Sequence, residues 1–283
     1  MSNKKKIVIL YSGGLDSFIM KKLAEAKYPD LDLTLVHFDI GQAYSEKEDN
    51  AIKNSGFDVE IRKVEWLAKN QKLTGKMESN SGNIIIPGRN MILSSLAASI
   101  YLADEIWMGG LKGEDHEGST DKNQEFIDRT NNLWSYVYSP FEKVPELVFP
   151  FIKEKWGKFE AVSWVYTNGH ATKEELLRTS SCLSDSHSKN CGHCVVCCRR
   201  KYIFKQLGFE EVYEQDPLTG KDNLKMIINM LKVPLDAEDD YKKYHYDHWR
   251  RREIIPGLYI EFGTEDHNTL IKIMEDKLKE IED

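Results

Sequence analysis

The chain has 283 residues, of which 41% are hydrophobic, so it can fill a sizeable core in one large domain or in one domain with an appendage. Disorder is therefore disfavoured for the bulk of the chain. The net charge is −7 and the sequence pI is about 5.7, so the summed field repels a phosphate backbone unless basic residues are segregated onto one face. A nucleic-acid partner is accordingly disfavoured.

The amino terminus and the cysteines indicate the compartment. Residues 1–6 are polar and basic, and the apolar run 7–10 is too short for a signal peptide or a membrane span. All the cysteines lie within one short segment, 182–198, whereas a secreted disulfide framework would distribute them to close loops. We therefore expect a cytoplasmic protein without a membrane partner, whose cysteines bind a metal.

The first two thirds of the chain alternate apolar runs with helical segments. The patterns predict strands over 4–11, 33–38, 58–64 and 105–108, and helices over 15–27, 46–55, 91–103, 124–134, 158–167 and 173–177. This alternation indicates an α/β fold with a doubly wound, mostly parallel sheet, because crossovers between parallel strands are helical. The polar segment 109–121 follows a strand and is predicted to be an active-site loop, since ligands bind beyond the carboxyl ends of such strands.

The pattern changes near residue 213 to charged amphipathic helices, with one strand-like stretch over 258–262 and a last helix over 267–281. We therefore predict three regions. Residues 1–179 form the α/β domain, residues 180–210 form the region that carries the cysteines, and residues 211–283 form a carboxy-terminal extension of unknown role.

A glycine-containing loop follows the first predicted strand and opens the first helix. In Ser12-Gly13-Gly14-Leu15-Asp16-Ser17, the two glycines let the backbone approach an anion, and the helix amino terminus offers N–H groups. Ser12 and Ser17 can add hydroxyl donors, and Asp16 suits a helix cap or a magnesium ligand. A simple capped turn is the alternative. The position of the loop resembles the PP-loop of ATP pyrophosphatases, which implies cleavage between the α and β phosphates and an adenylated substrate.

The cysteine spacing predicts a closed zinc site. Cys191, Cys194 and Cys197 are separated by two residues each, and Cys182 lies nine residues upstream of the first. Four thiolates at about 2.3 Å from zinc form a tetrahedral structural site. Several alternatives remain open: Cys198 in place of Cys197, His187 or His193 in place of Cys182, or free and redox-active thiols.

Together these segments resemble the 7-cyano-7-deazaguanine synthases, a PP-loop family with an attached zinc site. The similarity runs from about residue 6 to about residue 204 and rests on several separate segments, namely Tyr11 to Ser17, Phe38-Asp39-Ile40-Gly41-Gln42, Ile86-Pro87-Gly88-Arg89-Asn90, Gly110 to Ile127, and Ser181-Cys182 with Cys191 to Cys197. The resemblance implies an ATP-dependent C–N ligase that converts 7-carboxy-7-deazaguanine and ammonia to the nitrile through an adenylated carboxylate.

The resemblance also implies roles for individual residues. At the nucleotide it places Tyr11, Ser12, Gly13, Gly14, Leu15, Asp16, Ser17, Gly88 and Arg89. Asp16 and Asp39 would bear on Mg²⁺, and Arg89 would offset transition-state charge. Asp115, Asp121 and Phe126 would read or stack on the deazaguanine. Plainer alternatives are an Arg89 ion pair at the surface, an Asp39 helix cap, and a solvated acidic loop.

Four functional hypotheses follow. The first is the synthase described above, and its variant stops at the amide. The second attaches a deazaguanine to a protein or another macromolecule, with the extension as a docking module for a protein partner. The third is a tRNA-thiolating PP-loop enzyme, which the net charge of −7 disfavours. The fourth is a zinc-stapled binding protein without catalysis. A homodimer is a further expectation from the family.

Overall fold

A computed structural model describes residues 4–41, 45–65, 67, 86, 88–114, 120–184, 190–233 and 241–282, with side chains described from residue 249 onward in the last range. The chain forms two compact units. The first comprises Met1–Trp156 with Glu160–Ser180, and the second comprises Gly157–Phe159 with Ser181–Asp283.

The first unit is built on a parallel sheet. Its strands are β1 (Lys5–Leu10), β2 (Leu31–Asp39), β3 (Glu60–Lys63), β4 (Glu105–Trp107) and β5 (Glu146–Val148), in the order β3-β2-β1-β4-β5. Each pairing in this sheet is parallel. The predicted α/β class with a doubly wound parallel sheet is confirmed.

Helices connect these strands. In the first unit they are α1 (Leu15–Lys27), α2 (Ser45–Ser55), α3 (Arg89–Tyr101), α4 (Gln124–Val137), α5 (Pro150–Lys153), α6 (Lys158–Thr167, whose first two residues belong to the second unit) and α7 (Lys173–Arg178). The predicted bounds of α1 and α6 agree with the structure. Helix α3 begins and ends two residues before the predicted helix, because Gly88, rather than a later residue, takes the left-handed conformation at its start.

Strand β5 has no counterpart among the predicted elements. It is only three residues long, so an apolar period cannot be read from it. Its outer edge is held by a side chain, since Asn131 of α4 donates to the Leu147 carbonyl at 3.1 Å and accepts from the Leu147 N–H at 2.7 Å. These two bonds satisfy backbone groups that a sheet edge leaves unpaired.

A buried cluster lies between the sheet and helices α3 and α4. Val8, Val36 and Ile106 come from three adjacent strands, and they pack with Ala97 of α3 and Trp134 of α4. Ile7 and Ile9, which alternate with Val8 on β1, are fully buried as well. The central strand is therefore covered on both faces, as a parallel sheet requires.

The second unit is helical around α8 (Val195–Gln206), α9 (Lys221–Lys232), α10 (Tyr241–Phe262) and α11 (His267–Glu282), with a 3-10 turn at Pro217–Thr219. The prediction of a strand over 258–262 is wrong, since these residues end α10. Ile254, Ile255 and Leu258 are buried at helical spacing, and Ile260 is exposed. The apolar stretch faces a neighbouring helix, and Pro256 inside α10 does not end the helix.

Within the described ranges, no helix has both the length and the apolarity that a membrane span needs.

Candidate functional site

The glycine loop connects β1 to α1 and leaves the start of the helix open. Gly13 has φ +72°, and a Cβ there would lie 2.7 Å from the Ala51 Cβ and 2.9 Å from the Ile52 nitrogen. Gly14 occupies the position before the helix, so it offers no side chain to cap it. The first N–H groups of α1 therefore face outward at the positive end of the helix dipole, which is the arrangement that binds phosphate.

Two hydroxyl groups brace this loop from within. The Ser12 Oγ accepts from the Gly14 N–H at 3.3 Å. The Ser17 Oγ accepts from the Ser12 N–H at 3.3 Å and donates to the Gly14 carbonyl at 2.9 Å. Ser17 is buried, so in this conformation its proton is used inside the loop and its role is to fix the loop's shape.

The loop lies at the point where the strand order reverses. The chain passes from β1 to β2 on one side, whereas β4 pairs with β1 on the other side. Gly109 follows β4, and a Cβ built on it would lie 3.9 Å from the Asp16 Cβ. The ends of β1 and β4 thus meet beside Asp16, and this topological switch point is where open α/β sheets bind their ligands.

Asp16 and Asp39 have different surroundings. Asp16 is half-buried in the first turn of α1. The Asp39 Oδ1 accepts from the Gly41 N–H at 2.9 Å and from the Ser45 hydroxyl at 3.2 Å. This oxygen therefore ties Asp39 to the side chain of Ser45, the first residue of α2, and among the described residues it caps no backbone N–H of that helix. The role of Asp39 at Mg²⁺ stays a prediction.

Arg89 begins α3 directly after the left-handed Gly88, whose φ is +69°. The Arg89 N–H donates to the Ile86 carbonyl at 3.2 Å. Arg89 is half-buried, and among the described residues no carboxylate forms an ion pair with it. The predicted roles of Gly88 and Arg89 at the nucleotide stay predictions.

The predicted substrate residues are partly described. The buried Asn90 donates through Nδ2 to the Asp121 carbonyl at 3.2 Å, which joins the start of α3 to the segment before α4. The Phe126 ring meets the Phe149 ring edge to face at 6.3 Å and packs against the core cluster. Phe126 therefore has a packing role in addition to any stacking on substrate. Asp115 lies outside the described residues.

Two side chains that the sequence analysis missed lie next to the loop. His37 of β2 is buried, and its Nδ1 lies 3.1 Å from the Tyr11 carbonyl. Burial lowers the pKa of His37, so the ring is neutral and its Nδ1–H can donate to that carbonyl. Arg178 of α7 lines a small cleft that Gly13 and Ser55 also line. Neither position carries a motif that could have revealed it.

Tyr11 and Leu15 contribute to the loop mainly through the backbone. The Tyr11 side chain is 2% exposed, and burial raises the pKa of its phenol to about 12. Leu15 is 1% exposed and belongs to the core. Both side chains are therefore apolar anchors of the loop.

The four predicted metal ligands come together in the second unit. The Sγ atoms of Cys182, Cys191, Cys194 and Cys197 all lie within 4.8 Å of one another. The Cys191 and Cys197 sulfurs are 3.9 Å apart, close to the sulfur separation of about 3.8 Å that a tetrahedron with Zn–S bonds of about 2.3 Å requires. The arrangement therefore fits zinc.

Backbone N–H groups support two of these sulfurs. The Cys194 N–H donates to the Cys191 sulfur at 3.4 Å, and the Cys197 N–H donates to the Cys194 sulfur at 3.4 Å. Such bonds favour the thiolate form that a metal needs. Burial raises the pKa of the Cys191 thiol, and a bound cation favours the thiolate by displacing the proton.

Cys198 is not among the clustered sulfurs. It packs in the apolar cluster that Tyr202 of α8 forms with helices α9, α10 and α11, and burial raises its pKa to about 12. His193 is exposed and is not among the clustered ligands of the described residues, while His187 lies outside the described residues. The structure thus favours Cys197 over Cys198 as the fourth ligand.

Comparison with known proteins decides the family. The family described as "Queuosine biosynthesis protein QueC" matches residues 6–208. This chain belongs to the QueC family. A 7-cyano-7-deazaguanine synthase of Marinomonas sp. (strain MWYL1) is 28% identical over 231 residues, covering 76% of this chain and 97% of the relative. The 7-cyano-7-deazaguanine synthase of Methanobrevibacter smithii is 30% identical over 230 residues, covering 72% and 95%.

Membership of the QueC family confirms the resemblance read from the motifs and makes the chain an enzyme. It rules out the fourth hypothesis, in which the chain is a zinc-stabilised binding protein without catalysis. The match ends at residue 208, so helices α9, α10 and α11 lie beyond it.

Proposed function

We propose that the chain is an ATP-dependent ligase that converts 7-carboxy-7-deazaguanine and ammonia to 7-cyano-7-deazaguanine. The observation that carries the proposal is the open start of α1 behind Gly13 and Gly14, at the switch point of a parallel sheet. The names of the curated relatives supply the product, and the family resemblance implies the carboxylate substrate.

The proposed reaction begins with an attack of the substrate carboxylate on the α-phosphorus of ATP. The P–O bond to the β-phosphate breaks, pyrophosphate leaves and an acyl adenylate forms. Ammonia then attacks the carbonyl carbon, AMP departs, and loss of a proton leaves the amide. The amide oxygen then attacks the α-phosphorus of a second ATP and a second pyrophosphate leaves. Cleavage of the carbon–oxygen bond releases AMP, and loss of two protons from the nitrogen produces the nitrile. No protein nucleophile is required, because positioning and charge neutralisation accelerate such displacements.

The described residues supply the positioning. The amides at the start of α1 would hold the departing pyrophosphate, and the hydroxyls of Ser12 and Ser17 keep them aligned. Asp16 and Asp39 carry oxygen ligands of the kind that Mg²⁺ prefers, and Mg²⁺ would neutralise charge on the phosphates. Arg89 would do the same on the α-phosphate. We infer a cytoplasmic location for this small-molecule chemistry.

The four cysteines would hold Zn²⁺ in a closed shell. Four thiolates leave no open position for water, so the metal supports the fold and takes no part in the reaction. The division of the chain into residues 1–179, 180–210 and 211–283, the homodimer and a protein partner of the extension stay predictions.

Mass spectrometry of a complete reaction tests the proposal. The purified protein is incubated with ATP, ammonium and 7-carboxy-7-deazaguanine. A product with the mass of the nitrile is the expected result, and the amide alone would favour the variant that stops earlier. A deazaguanine mass added to a protein would favour the conjugating alternative, and turnover only with tRNA would favour thiolation. No product in any mixture contradicts the proposal.

A further inference from the structure

The carboxy-terminal extension and the metal-binding helix share one core. Helix α8 carries Cys197 in the metal cluster, whereas Cys198 and Tyr202 belong to the apolar cluster formed with α9, α10 and α11. Gly257 of α10 lies so close to α8 that a Cβ would come 2.4 Å from the Tyr202 carbonyl. A buried ion pair between Arg199 and Glu253 also joins these two helices.

The extension also bonds to the loop that carries the metal ligands. The Glu214 N–H donates to the Asn190 carbonyl at 2.9 Å, and the Gln215 N–H donates to the Cys191 carbonyl at 3.2 Å. At Gly192, whose φ is +80°, a Cβ would lie 1.8 Å from the Gln215 carbonyl oxygen. The two segments thus lie in backbone contact, and only glycine fits at this point of the metal loop.

One side chain of α9 also donates a hydrogen bond to the metal loop. Asn223 is fully buried, and its Nδ2 donates to the His193 carbonyl at 3.1 Å and to the Pro217 carbonyl at 2.9 Å. Backbone carbonyls at three positions of the run 190–193 therefore accept hydrogen bonds from beyond residue 208, where the family match ends.

We propose that the segment 211–223 is a clamp on the zinc loop, and that Asn223 is its positioning residue. It holds the loop that carries Cys191 and Cys194 in the conformation that binds the metal, and bound zinc in turn stabilises the clamped conformation. A loop fixed in this way loses less conformational entropy on binding and opens less often to release the ion. The extension thereby has a role inside the molecule, at a metal site whose four cysteines lie within the part of the chain that matches the family.

Zinc release to an excess of a chromogenic chelator tests the clamp. Asn223→Leu removes both bonds at similar volume, and we expect zinc to leave at least about tenfold faster, the lower end of what such supporting partners contribute to metal affinity. The matched control is Asn131→Leu, because Asn131 also bonds two backbone groups through its side-chain amide but lies in the first unit. The control is expected to release zinc at the wild-type rate.

Cobalt substitution provides a readout that general stability does not affect. The ligand-field bands of Co²⁺ at the four cysteines should change in Asn223→Leu and stay unchanged in Asn131→Leu, because the first variant alone alters the geometry of the shell. An unchanged release rate in Asn223→Leu overturns the proposal. Equal acceleration in both variants also overturns it, since release would then follow overall stability.

A measurement on the wild-type protein covers the case in which Asn223→Leu does not fold. Hydrogen exchange is compared before and after the chelator removes zinc. The amides of Glu214 and Gln215, which bond to the metal loop, should exchange faster without zinc, whereas those of β1 should not change. Unchanged protection at Glu214 and Gln215 after zinc removal overturns the clamp.

Discussion

Gly13→Ala is the substitution that examines the phosphate loop most sharply. The new methyl group meets two obstacles. The backbone there has φ +72°, which L side chains rarely adopt, and the added carbon would lie 2.7 Å from the Ala51 Cβ and 2.9 Å from the Ile52 nitrogen. Because Ile52 contributes backbone, the loop rather than α2 is expected to move.

Gly56 separates the two effects. It has φ +70°, but nothing lies within 4 Å of an added Cβ. Gly56→Ala therefore incurs the left-handed penalty alone, and we expect it to lower the free energy of unfolding by about 1 kcal/mol, after the smaller entropy of the unfolded chain is counted. Gly13→Ala adds overpacking, which costs about 1–3 kcal/mol more.

Urea unfolding gives the two stabilities, and calorimetric titration with Mg²⁺ and ATP gives the affinity. We expect Gly13→Ala to lose about 2–4 kcal/mol of stability and most of its ATP affinity, because the displaced amides no longer point at the phosphates. Gly56→Ala should bind ATP like the wild type. Equal stability losses in the two variants, or wild-type ATP affinity in Gly13→Ala, would refute the reasoning.

Three further predictions concern the zinc site, the phosphate loop and a buried ion pair. Cys194→Ser should reduce bound zinc from about one ion per chain to almost none in elemental analysis, since it breaks a closed shell of thiolates. Cys198→Ser is the control and should retain the metal, because Cys198 lies in the apolar cluster of helices α8 to α11. Ser17→Ala should weaken ATP binding about fivefold to thirtyfold in calorimetry, because it removes the two bonds that shape the loop. Arg199→Met should lower the free energy of unfolding in urea by about 3–5 kcal/mol, since it breaks a buried ion pair with Glu253. Adding Glu253→Met should restore part of it, because the Lys158 N–H also donates to that carboxylate and loses its acceptor. Zinc retained in Cys194→Ser would contradict the first prediction, and wild-type ATP affinity in Ser17→Ala would contradict the second. A double variant no more stable than Arg199→Met would contradict the third.

The phosphate loop and the cysteine site were readable from the sequence because each depends on local chemistry. Gly13 and Gly14 follow an apolar run and precede a helix, so strand, turn and helix amino terminus are adjacent in the chain. The two-residue cysteine spacing likewise fixes sulfur atoms near one another. Both signals are short in sequence and therefore need no knowledge of tertiary structure.

The features that escaped prediction depend on distant partners. Strand β5 forms by pairing with the distant β4, and Asn131, which lies on α4, satisfies its outer edge. The stretch 258–262 is helical because Leu258, Tyr259 and Phe262 pack in the apolar cluster of helices α8 to α11, although the local pattern is also compatible with a strand. In the sequence, Asn223 looks like an ordinary polar residue of an amphipathic helix. Only the fold brings its side-chain amide to the His193 carbonyl.

The nucleotide products test the central claim most directly. Phosphorus NMR follows a mixture of the protein with ATP, Mg²⁺, ammonium and 7-carboxy-7-deazaguanine. A loop that grips the triphosphate for adenylation predicts AMP and pyrophosphate, formed only when the carboxylate is present. ADP and orthophosphate, or unchanged ATP in the complete mixture, would contradict the assignment.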